Sequence, residues 1–382
     1  MLHYHSFPKL KKLTVSLLVV CFFMASSLAA QPRKIQRKKI VPSQTVSSEQ
    51  VLKAALRRTP KSFLANYALG EFYLQSGQLL KAIPLLEAAA RIDPAHFNNQ
   101  HDLVLAYLNA GNLVQARTNI QALLVSHNKA EAHNLMGLIE EASGNKQAAA
   151  EAYQRAAQLD ATEQNIFDYG DSILKLNAPE EALKIFKFGV TKYPKSAQLL
   201  VGEAISKYAL GQFKEAIETL CRAVDLNPQD ERAYIFLGEM YGVSVELSDE
   251  INQRFERLVQ LQPRNALAHY YYAMNLWKGK SSDNVSLNLS KIETLLKTAT
   301  GLDPNLADAF HNLGLLYFEE QKIDAAIIQL QRAARLKPKV SIIRFKLAQA
   351  YQRQGKTALA AQEFAATKKL KAAEFEAVKM NN

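Results

Sequence analysis

One segment near the C-terminus has the spacing of a phosphate-binding loop. Ala350–Thr357 reads AYQRQGKT, which fits a relaxed form of the glycine, lysine and threonine pattern that wraps nucleotide phosphates. That chemistry needs a preceding strand and several glycines, because backbone amides must approach the phosphates closely. Gly355 and Tyr351 instead fall at positions that recur along the chain. We therefore interpret the segment as a helix end followed by a turn, and we expect no nucleotide cofactor.

The histidines do not have the spacing of a metal site. No two of the eight His residues are four positions apart with a glutamate between them, as a zinc-peptidase helix requires. His101 and His133 fall on neighbouring helices of the pattern described below, but the sequence offers no third ligand beside them. We predict no metal and assign these side chains to packing or to a binding surface.

The acids and cysteines also lack a catalytic arrangement. Glu140 with Glu141, and Asp168 with Asp171, are interpreted as solvated helix residues rather than as an acid and its base. One of the two cysteines lies in an apolar N-terminal segment, so a cleaved protein would keep Cys221 alone, as a small buried hydrophobe. We predict no catalytic residue and no enzyme activity.

The excess positive charge belongs to the N-terminus. The formal net charge is +11, but eight of the 47 Lys and Arg residues precede the first acid, Glu49, and the other 39 nearly balance the 36 Asp and Glu residues. A nucleic-acid surface needs a basic stripe on the folded body, with aromatic side chains placed to stack on bases. We therefore expect no nucleic-acid partner.

The first 48 residues have the features of a leader followed by a linker. A positive stretch ending at Lys12 precedes the uncharged apolar run Leu13–Ala30, which closes on small residues. This pattern predicts a signal peptide over residues 1–30, cleaved near Ala29, and an exported protein, periplasmic or extracellular. The alternative is an uncleaved membrane anchor over residues 13–30, because 18 such residues can just span a bilayer. Residues 31–48 are basic and polar, and we interpret them as a flexible linker.

Three kinds of residue recur with one period over the rest of the chain. Proline pairs separated by 34 residues are Pro60 and Pro94, Pro194 and Pro228, and Pro304 and Pro338. An apolar series in steps of 33 to 41 residues is Ala82, Ala116, Ala149, Ala182, Ala216, Ile251, Ile292, Ala326 and Ala360. A turn series in the same register is Gly77, Gly111, Gly144, Asn177, Gly211 and Gly355. Such self-similarity is the signature of a repeat architecture.

Each period contains two amphipathic stretches at helical spacing. In the first, Leu69-Gly70 and Tyr73 lie on one stretch, and a second stretch around Ala82 ends at Pro94. Leu-Gly, Tyr, Ala and Pro in this order resemble the tetratricopeptide repeat. The resemblance covers Phe63 to about Lys371. It implies an all-α fold, a right-handed superhelix or α-solenoid of about nine helix-turn-helix repeats.

The resemblance also sets the domain boundaries. We expect a capping helix over residues 49–62, then the repeat array with a C-terminal capping helix over residues 63–382. Two units depart from the pattern: Val245 replaces the turn glycine of the sixth, and about seven residues around Ser281–Ser290 are inserted in the seventh. Insertions in a solenoid usually form surface loops.

In the family, the first helix of each repeat lines a concave groove that holds a peptide. Placing this sequence on that pattern gives the predicted groove residues, which are Tyr67, His101, Asn134, Phe167, Tyr270, Met274, Trp277, His311 and Phe345. In the seventh repeat, Tyr270, Met274 and Trp277 share one face of a helix, which we expect to be free for a partner. The Lys and Asn residues with which some family members clamp a terminal carboxylate are largely missing.

The resemblance and the leader together predict an exported scaffold that binds other proteins or peptides, with contact to a membrane only if the leader stays uncleaved. A second hypothesis is an accessory subunit or carrier that presents a glycan or lipid-linked substrate to an envelope enzyme. The sequence does not name the partner, because grooves of this kind vary freely on one scaffold.

Overall fold

The structure is a computed structural model that describes residues 42–240, 247–278 and 285–380. These residues form nineteen α-helices and no strand. The helices fall into two compact units, the first ending at Gln212 and the second beginning at Phe213. The apolar run Leu13–Ala30 lies outside the described residues, as do the turn with Val245 and part of the predicted insertion.

The first unit consists of one leading helix, four helix pairs and the first helix of the fifth repeat. Its helices are α1 (Pro42–Arg58), α2 (Phe63–Gln75), α3 (Leu79–Ile92), α4 (Phe97–Asn109), α5 (Leu113–Ser126), α6 (Ala130–Ala142), α7 (Lys146–Leu159), α8 (Glu163–Lys175), α9 (Pro179–Lys192) and α10 (Ala197–Ala209).

The second unit begins with the second helix of the fifth repeat and continues with four pairs. Its helices are α11 (Phe213–Leu226), α12 (Glu231–Glu239), α13 (Ser248–Leu261), α14 (Ala266–Lys278), α15 (Val285–Leu302), α16 (Ala307–Glu319), α17 (Ile323–Leu336), α18 (Ser341–Arg353) and α19 (Thr357–Met380). The predicted all-α repeat fold is therefore confirmed.

The turn inside each repeat follows from one residue in the left-handed region of the backbone. Gly77 has φ of 73°, and the next amide, that of Gln78, donates to the Tyr73 carbonyl at 2.8 Å. This geometry satisfies carbonyls that a helix end leaves unpaired. The other members of the predicted turn series share it, including Asn177 at 60°. Gln321, at 62°, adopts the same conformation, although the predicted turn series did not include it.

A glycine on the first helix lets the two helices of a repeat approach closely. A Cβ atom on Gly137 would lie 2.5 Å from the ring of Tyr153 on α7, and one on Gly70 would lie 2.9 Å from Leu86 on α3. Real Cβ contacts are not that short, so the partner side chain would have to move. Ala82 and Ala149, on the facing second helices, are buried. The small residues of the pattern therefore set the packing distance.

Helix α1 closes the start of the first unit. Leu52 and Leu56 pack against the core cluster that contains Leu69 and Tyr73, and the Tyr73 hydroxyl donates to Glu49 at 2.8 Å. The helix begins at Pro42, so it includes residues 42–48 of the stretch that the sequence analysis assigned to a linker. A helix can start with proline because its first amides have no partner within the helix.

Two other boundaries differ from the prediction. The last repeat and the predicted C-terminal cap form one continuous helix, Thr357–Met380, because no proline or glycine interrupts residues 357–380. In the seventh repeat, helix α15 begins at Val285, so the second part of the predicted loop is helical. Residues 279–284 lie outside the described residues.

Candidate partner-binding face

The first helices of neighbouring repeats touch one another directly. Contacts join α2 to α4, α4 to α6 and α8 to α10 in the first unit, and α12 to α14 and α16 to α18 in the second. We call the surface that these helices form the first-helix face. The predicted groove residues lie on these helices, so the repeat brings side chains distant in sequence into one row within each unit.

At the start of the first unit, a buried carboxylate joins two predicted groove residues. Asp102 is 7% exposed. It accepts a hydrogen bond from the Tyr67 hydroxyl at 3.1 Å, and its other oxygen lies 3.3 Å from Nδ1 of His101. Tyr67 comes from α2 and the other two from α4. The acid therefore holds two partly exposed rings of adjacent repeats in fixed positions.

Two repeats further along the chain, the same arrangement recurs with amides. Asp168 is 3% exposed and accepts from the Asn134 amide at 2.8 Å and from Gln164 at 2.9 Å. The Asn134 amide also lies 3.3 Å from the side-chain oxygen of Asn165. Asn134 is on α6 and its partners are on α8, so this network again links consecutive first helices.

A charged group of three residues follows along the same two helices. Lys175 of α8 forms an ion pair with Asp171 at 2.8 Å and a second one with Glu141 of α6. Burial raises the pKa of Asp171 despite the neighbouring ammonium. For Lys175, burial acts to lower the pKa, but the two carboxylates outweigh it and the pKa is raised. The Tyr153 hydroxyl completes the group by donating to Glu141 at 3.0 Å.

These contacts correct the interpretation of the acids as solvated residues. Glu140 is 5% exposed and accepts from Arg117 at 2.7 Å, and Asp168 and Asp171 are also buried. A buried carboxylate needs partners. A neighbouring helix supplies them for Glu140 and Asp168, and Lys175 of the same helix supplies one for Asp171. Sequence reasoning missed this, although one signal existed. Several of the partners on consecutive first helices are 31 to 35 residues apart, which is close to the repeat length.

The side chains at the predicted groove positions of the first unit are partly exposed. This holds for Tyr67, His101, Asn134 and Phe167, whereas Val201 at the equivalent position of α10 is buried. Apolar side chains lie between them, because Leu105 and Leu138 are one helical turn further on and are also partly exposed. The first unit therefore presents an apolar and aromatic surface held in place by buried polar contacts.

The seventh repeat differs from the prediction. Tyr270 is 8% exposed and Met274 is 5% exposed, so the expectation of a free face is wrong for these two residues. Tyr270 packs against the Tyr271 ring with centroids 5.2 Å apart, and its hydroxyl oxygen accepts from Asn312 at 3.3 Å. Trp277 remains partly exposed. Amphipathic spacing alone did not reveal that both sides of α14 are covered.

The last two predicted groove residues lie on α16 and α18. Burial lowers the pKa of His311, and its Nε2 atom has no hydrogen-bond partner among the described residues. Phe345 packs edge-on against Phe364 with centroids 5.8 Å apart, and the Lys371 ammonium lies 5.5 Å from its ring centre. The chemistry of this part of the face suits aromatic and neutral polar contacts.

The residues considered for nucleotide binding, metal binding and thiol chemistry belong to turns, helix contacts and the core. The segment that resembles a phosphate loop is the end of α18, a turn with Gly355 at φ of 81°, and the start of α19, as predicted. His101 contacts Asp102, whereas His133 contacts Asn128 at 2.7 Å. Cys221 is buried, and burial raises the pKa of its thiol to about 11. In residues 42–240, 247–278 and 285–380 we find no group of three metal-ligating side chains.

Profiles of known repeats match several parts of this arrangement. Tetratricopeptide-repeat profiles match residues 74–139 and 130–163, and a further one matches residues 47–96 and 201–241. A TPR repeat profile matches residues 314–355. The chain is a tetratricopeptide-repeat protein. Its fold is thus that of a protein-interaction scaffold, and the first-helix face belongs to repeats of a known kind.

Solved structures of similar architecture include other repeat proteins. MamA from Desulfovibrio magneticus RS-1 is 18% identical over 46% of this chain and 95% of that chain, with a TM-score of 0.39. YrrB, described as a TPR protein with an unusual peptide-binding site, is 21% identical over 50% and 94%, with a TM-score of 0.39. Yeast Tom70 is 14% identical over 89% and 93%, with a TM-score of 0.40. Comparison with curated protein sequences gives no match.

No helix in the described parts of the chain combines the length and the apolar character that crossing a bilayer requires.

Proposed function

We propose that this protein is an exported scaffold whose first-helix face binds a peptide segment of another protein. The observation that carries the proposal is the row of partly exposed groove side chains in the first unit, two of which are tied to the next repeat by a buried carboxylate. Tyr67 is fixed through Asp102, and Asn134 is fixed through Asp168. A surface ordered before binding loses less conformational entropy when a partner arrives.

The composition of this face favours a peptide with apolar side chains. Leu105, Leu138 and Phe167 are partly exposed between the polar contacts, and Phe167 is supported from behind by Phe186, with ring centroids 6.0 Å apart. Aromatic and aliphatic side chains on a rigid support are the residues that anchor partners most strongly. The Asn134 amide and the His101 ring add polar groups that fix direction and register.

Selection from a random peptide library displayed on phage tests this proposal. Selected peptides should bind the full chain and lose about tenfold or more in affinity when Phe167 is changed to Ala, which corresponds to about 1.4 kcal/mol. Leu138→Ala should act in the same direction. Val125→Ala is the matched control, because Val125 is 91% exposed on the second helix α5 and should leave affinity unchanged.

Thermal melting of each variant separates lost binding from lost folding. The proposal fails if peptides bind the Phe167→Ala and Leu138→Ala variants as tightly as the parent, or if no peptide is selected by the folded parent chain. Selection of peptides that respond to Val125→Ala instead would place binding on the second helices.

Export is the second part of the proposal, and the N-terminal sequence supports it. Edman sequencing of protein purified from its natural source should begin near Ala30 or Gln31, because small residues precede this point. Recovery of an intact Met1 terminus in the membrane fraction would instead favour an anchor over residues 13–30. The first outcome would leave a scaffold without a membrane attachment of its own.

A further inference from the structure

A second candidate surface lies on the other side of the first unit. Helices α7 and α9, the second helices of the third and fourth repeats, flank a pocket of about 330 Å³. Ile166 and Tyr169 of α8 line it between them. Tyr169 follows Phe167 by two residues, which is roughly 200° around the helix, so the pocket does not belong to the first-helix face.

Two aromatic residues that depart from the repeat pattern build this pocket. Phe188 of α9 is six residues after the apolar landmark Ala182, and the same position in the other eight repeats carries Ala, Arg or Thr, namely Ala88, Ala122, Arg155, Arg222, Arg257, Thr298, Arg332 and Ala366. Tyr169 stands where five of the nine repeats have Leu. In Phe188, the fourth repeat thus carries an aromatic side chain that stacking of the repeats does not require.

The lining is apolar and accessible from outside. Ile166 is 2% exposed, whereas Phe188 is 56% exposed and Ile185 and Tyr169 are partly exposed. A single exposed apolar residue is ordinary on a protein surface. Phe188 is different because it forms one side of a cavity whose base is already apolar. The volume of this cavity exceeds the volume of one large side chain. An apolar cavity edged by an exposed aromatic side chain is the type of site that accepts an anchor side chain.

The charges at the edge of the pocket select among possible occupants. Among the eight described residues that line it, Lys184 carries the only charge at neutral pH, and Gln154 and Gln158 supply amide donors. Arg155 donates to Gln158 at 3.5 Å, and Lys187 is exposed next to Phe188 on α9. Glu181 contacts the Tyr169 hydroxyl at 3.5 Å. Cations on both flanking helices favour an occupant that carries a carboxylate beside its apolar part.

We infer that the pocket between α7 and α9 docks a segment of a partner protein that inserts one large apolar side chain and places an adjacent carboxylate against Lys184. The protein then holds partners on two separate surfaces, a peptide on the first-helix face and a second segment here. This site does not depend on the proposed function, because none of its lining residues is a groove residue.

Isoleucine-methyl NMR of the full chain tests the inference, because Ile166 and Ile185 both line the pocket. Three probes are titrated: acetyl-Phe-Asp-amide, the charge-reversed acetyl-Phe-Lys-amide and the anchorless acetyl-Ala-Asp-amide. We expect saturable shifts of both methyl signals with the first probe and at least about fivefold weaker binding of the other two. The methyl signal of Ile120, a fully buried core residue, should not move.

Two substitutions make the test specific. Phe188→Ala should abolish the shifts, and Lys184→Glu should reverse the order of the first two probes; both residues are exposed, so the melting temperature should change little. Val125→Ala is the matched control for loss of an exposed apolar side chain. Absence of shifts, equal affinities of the three probes, or unchanged binding to the Phe188→Ala variant would overturn the inference.

Two further outcomes would reassign the pocket. Octanoate combines an apolar chain with a carboxylate but is not a peptide, and binding as tight as that of acetyl-Phe-Asp-amide would identify a site for small amphiphilic anions. Self-association of the parent chain in sedimentation experiments, lost on Phe188→Ala, would make a second copy the occupant. Either result would contradict docking of a partner segment.

Discussion

The side-chain amide of Asn134 donates to the carboxylate of Asp168, which is 2.8 Å away and 34 residues later in the chain. Tyr67 and Asp102 are joined in the same way over 35 residues. In both cases a groove position of one repeat is bound to a buried acid of the next. The polar contacts between first helices therefore have the period of the fold itself, and they order the surface that we propose for binding.

Removal of the Asn134 amide should destabilise the first unit. Asp168 is 3% exposed, so Asn134→Ala leaves a buried carboxylate short of a donor, which typically costs about 1–3 kcal/mol. Denaturant unfolding followed by circular dichroism measures the change. Gln121→Ala, on the exposed side of α5, serves as the control and should stay within about 0.5 kcal/mol. Equal effects of the two substitutions would mean that the Asn134–Asp168 contact adds nothing to stability.

Two glycines in helices should respond to alanine with opposite signs. Gly137→Ala places a Cβ atom 2.5 Å from the Tyr153 ring, and overpacking of this kind costs about 1–3 kcal/mol. Gly301 lies in α15 with nothing within 4 Å of the new atom, so Gly301→Ala should stabilise by up to about 1 kcal/mol. Melting temperatures of both variants give the comparison. A Gly137→Ala variant that melts at the temperature of the parent chain would contradict the close approach of α6 and α7.

The turn that resembles a phosphate loop should behave as a turn. Gly355 has φ of 81°, so Gly355→Ala forces an L-residue into the left-handed region at a cost of about 1–2 kcal/mol. Lys356 is exposed, and its backbone amide, which donates to the Tyr351 carbonyl, is still present after Lys356→Ala. This substitution should therefore change the free energy of unfolding by no more than about 0.5 kcal/mol. ATP should not raise the melting temperature of either variant or of the parent. A saturable shift that depends on Lys356 would show a nucleotide site.

His311 should make the second unit less stable in acid. Burial lowers the pKa of His311 below its ordinary value of 6.5, helped by Lys346 and Lys337 and opposed by Asp308. At pH values between the lowered pKa of the folded state and 6.5, the unfolded chain binds more protons than the folded chain. The contribution of His311 to stability is therefore complete above about pH 6.5 and is lost as the pH falls to the pKa of the folded state.

An NMR titration of the His311 ring should therefore have a midpoint below 6.5. His311→Gln should reduce the loss of stability between about pH 7 and pH 5 relative to the parent chain. A midpoint at or above the ordinary value, or an unchanged pH dependence in the variant, would show that burial does not disfavour the charged ring.

The sequence by itself determined the repeat and its local geometry. Gly77, Gly111 and Gly144 stand at the turns because a left-handed residue is needed where one helix ends and the next begins. Gly70 and Ala82 are small because the two helices of a repeat approach closely at these positions. Such requirements act within one repeat, and a single period of sequence contains all the residues that meet them.

Only the tertiary structure decided which side chains are buried between repeats. The acids Asp168 and Asp171 were interpreted from the sequence as solvated residues, yet both are buried, and Asp168 takes one of its partners from the preceding repeat. Tyr270 and Met274 have the spacing of an open face, yet they are buried. Helical spacing gives the direction of a side chain from its own helix axis. Burial depends instead on which residues the next repeat places opposite that side chain, and these come from segments more than thirty residues away.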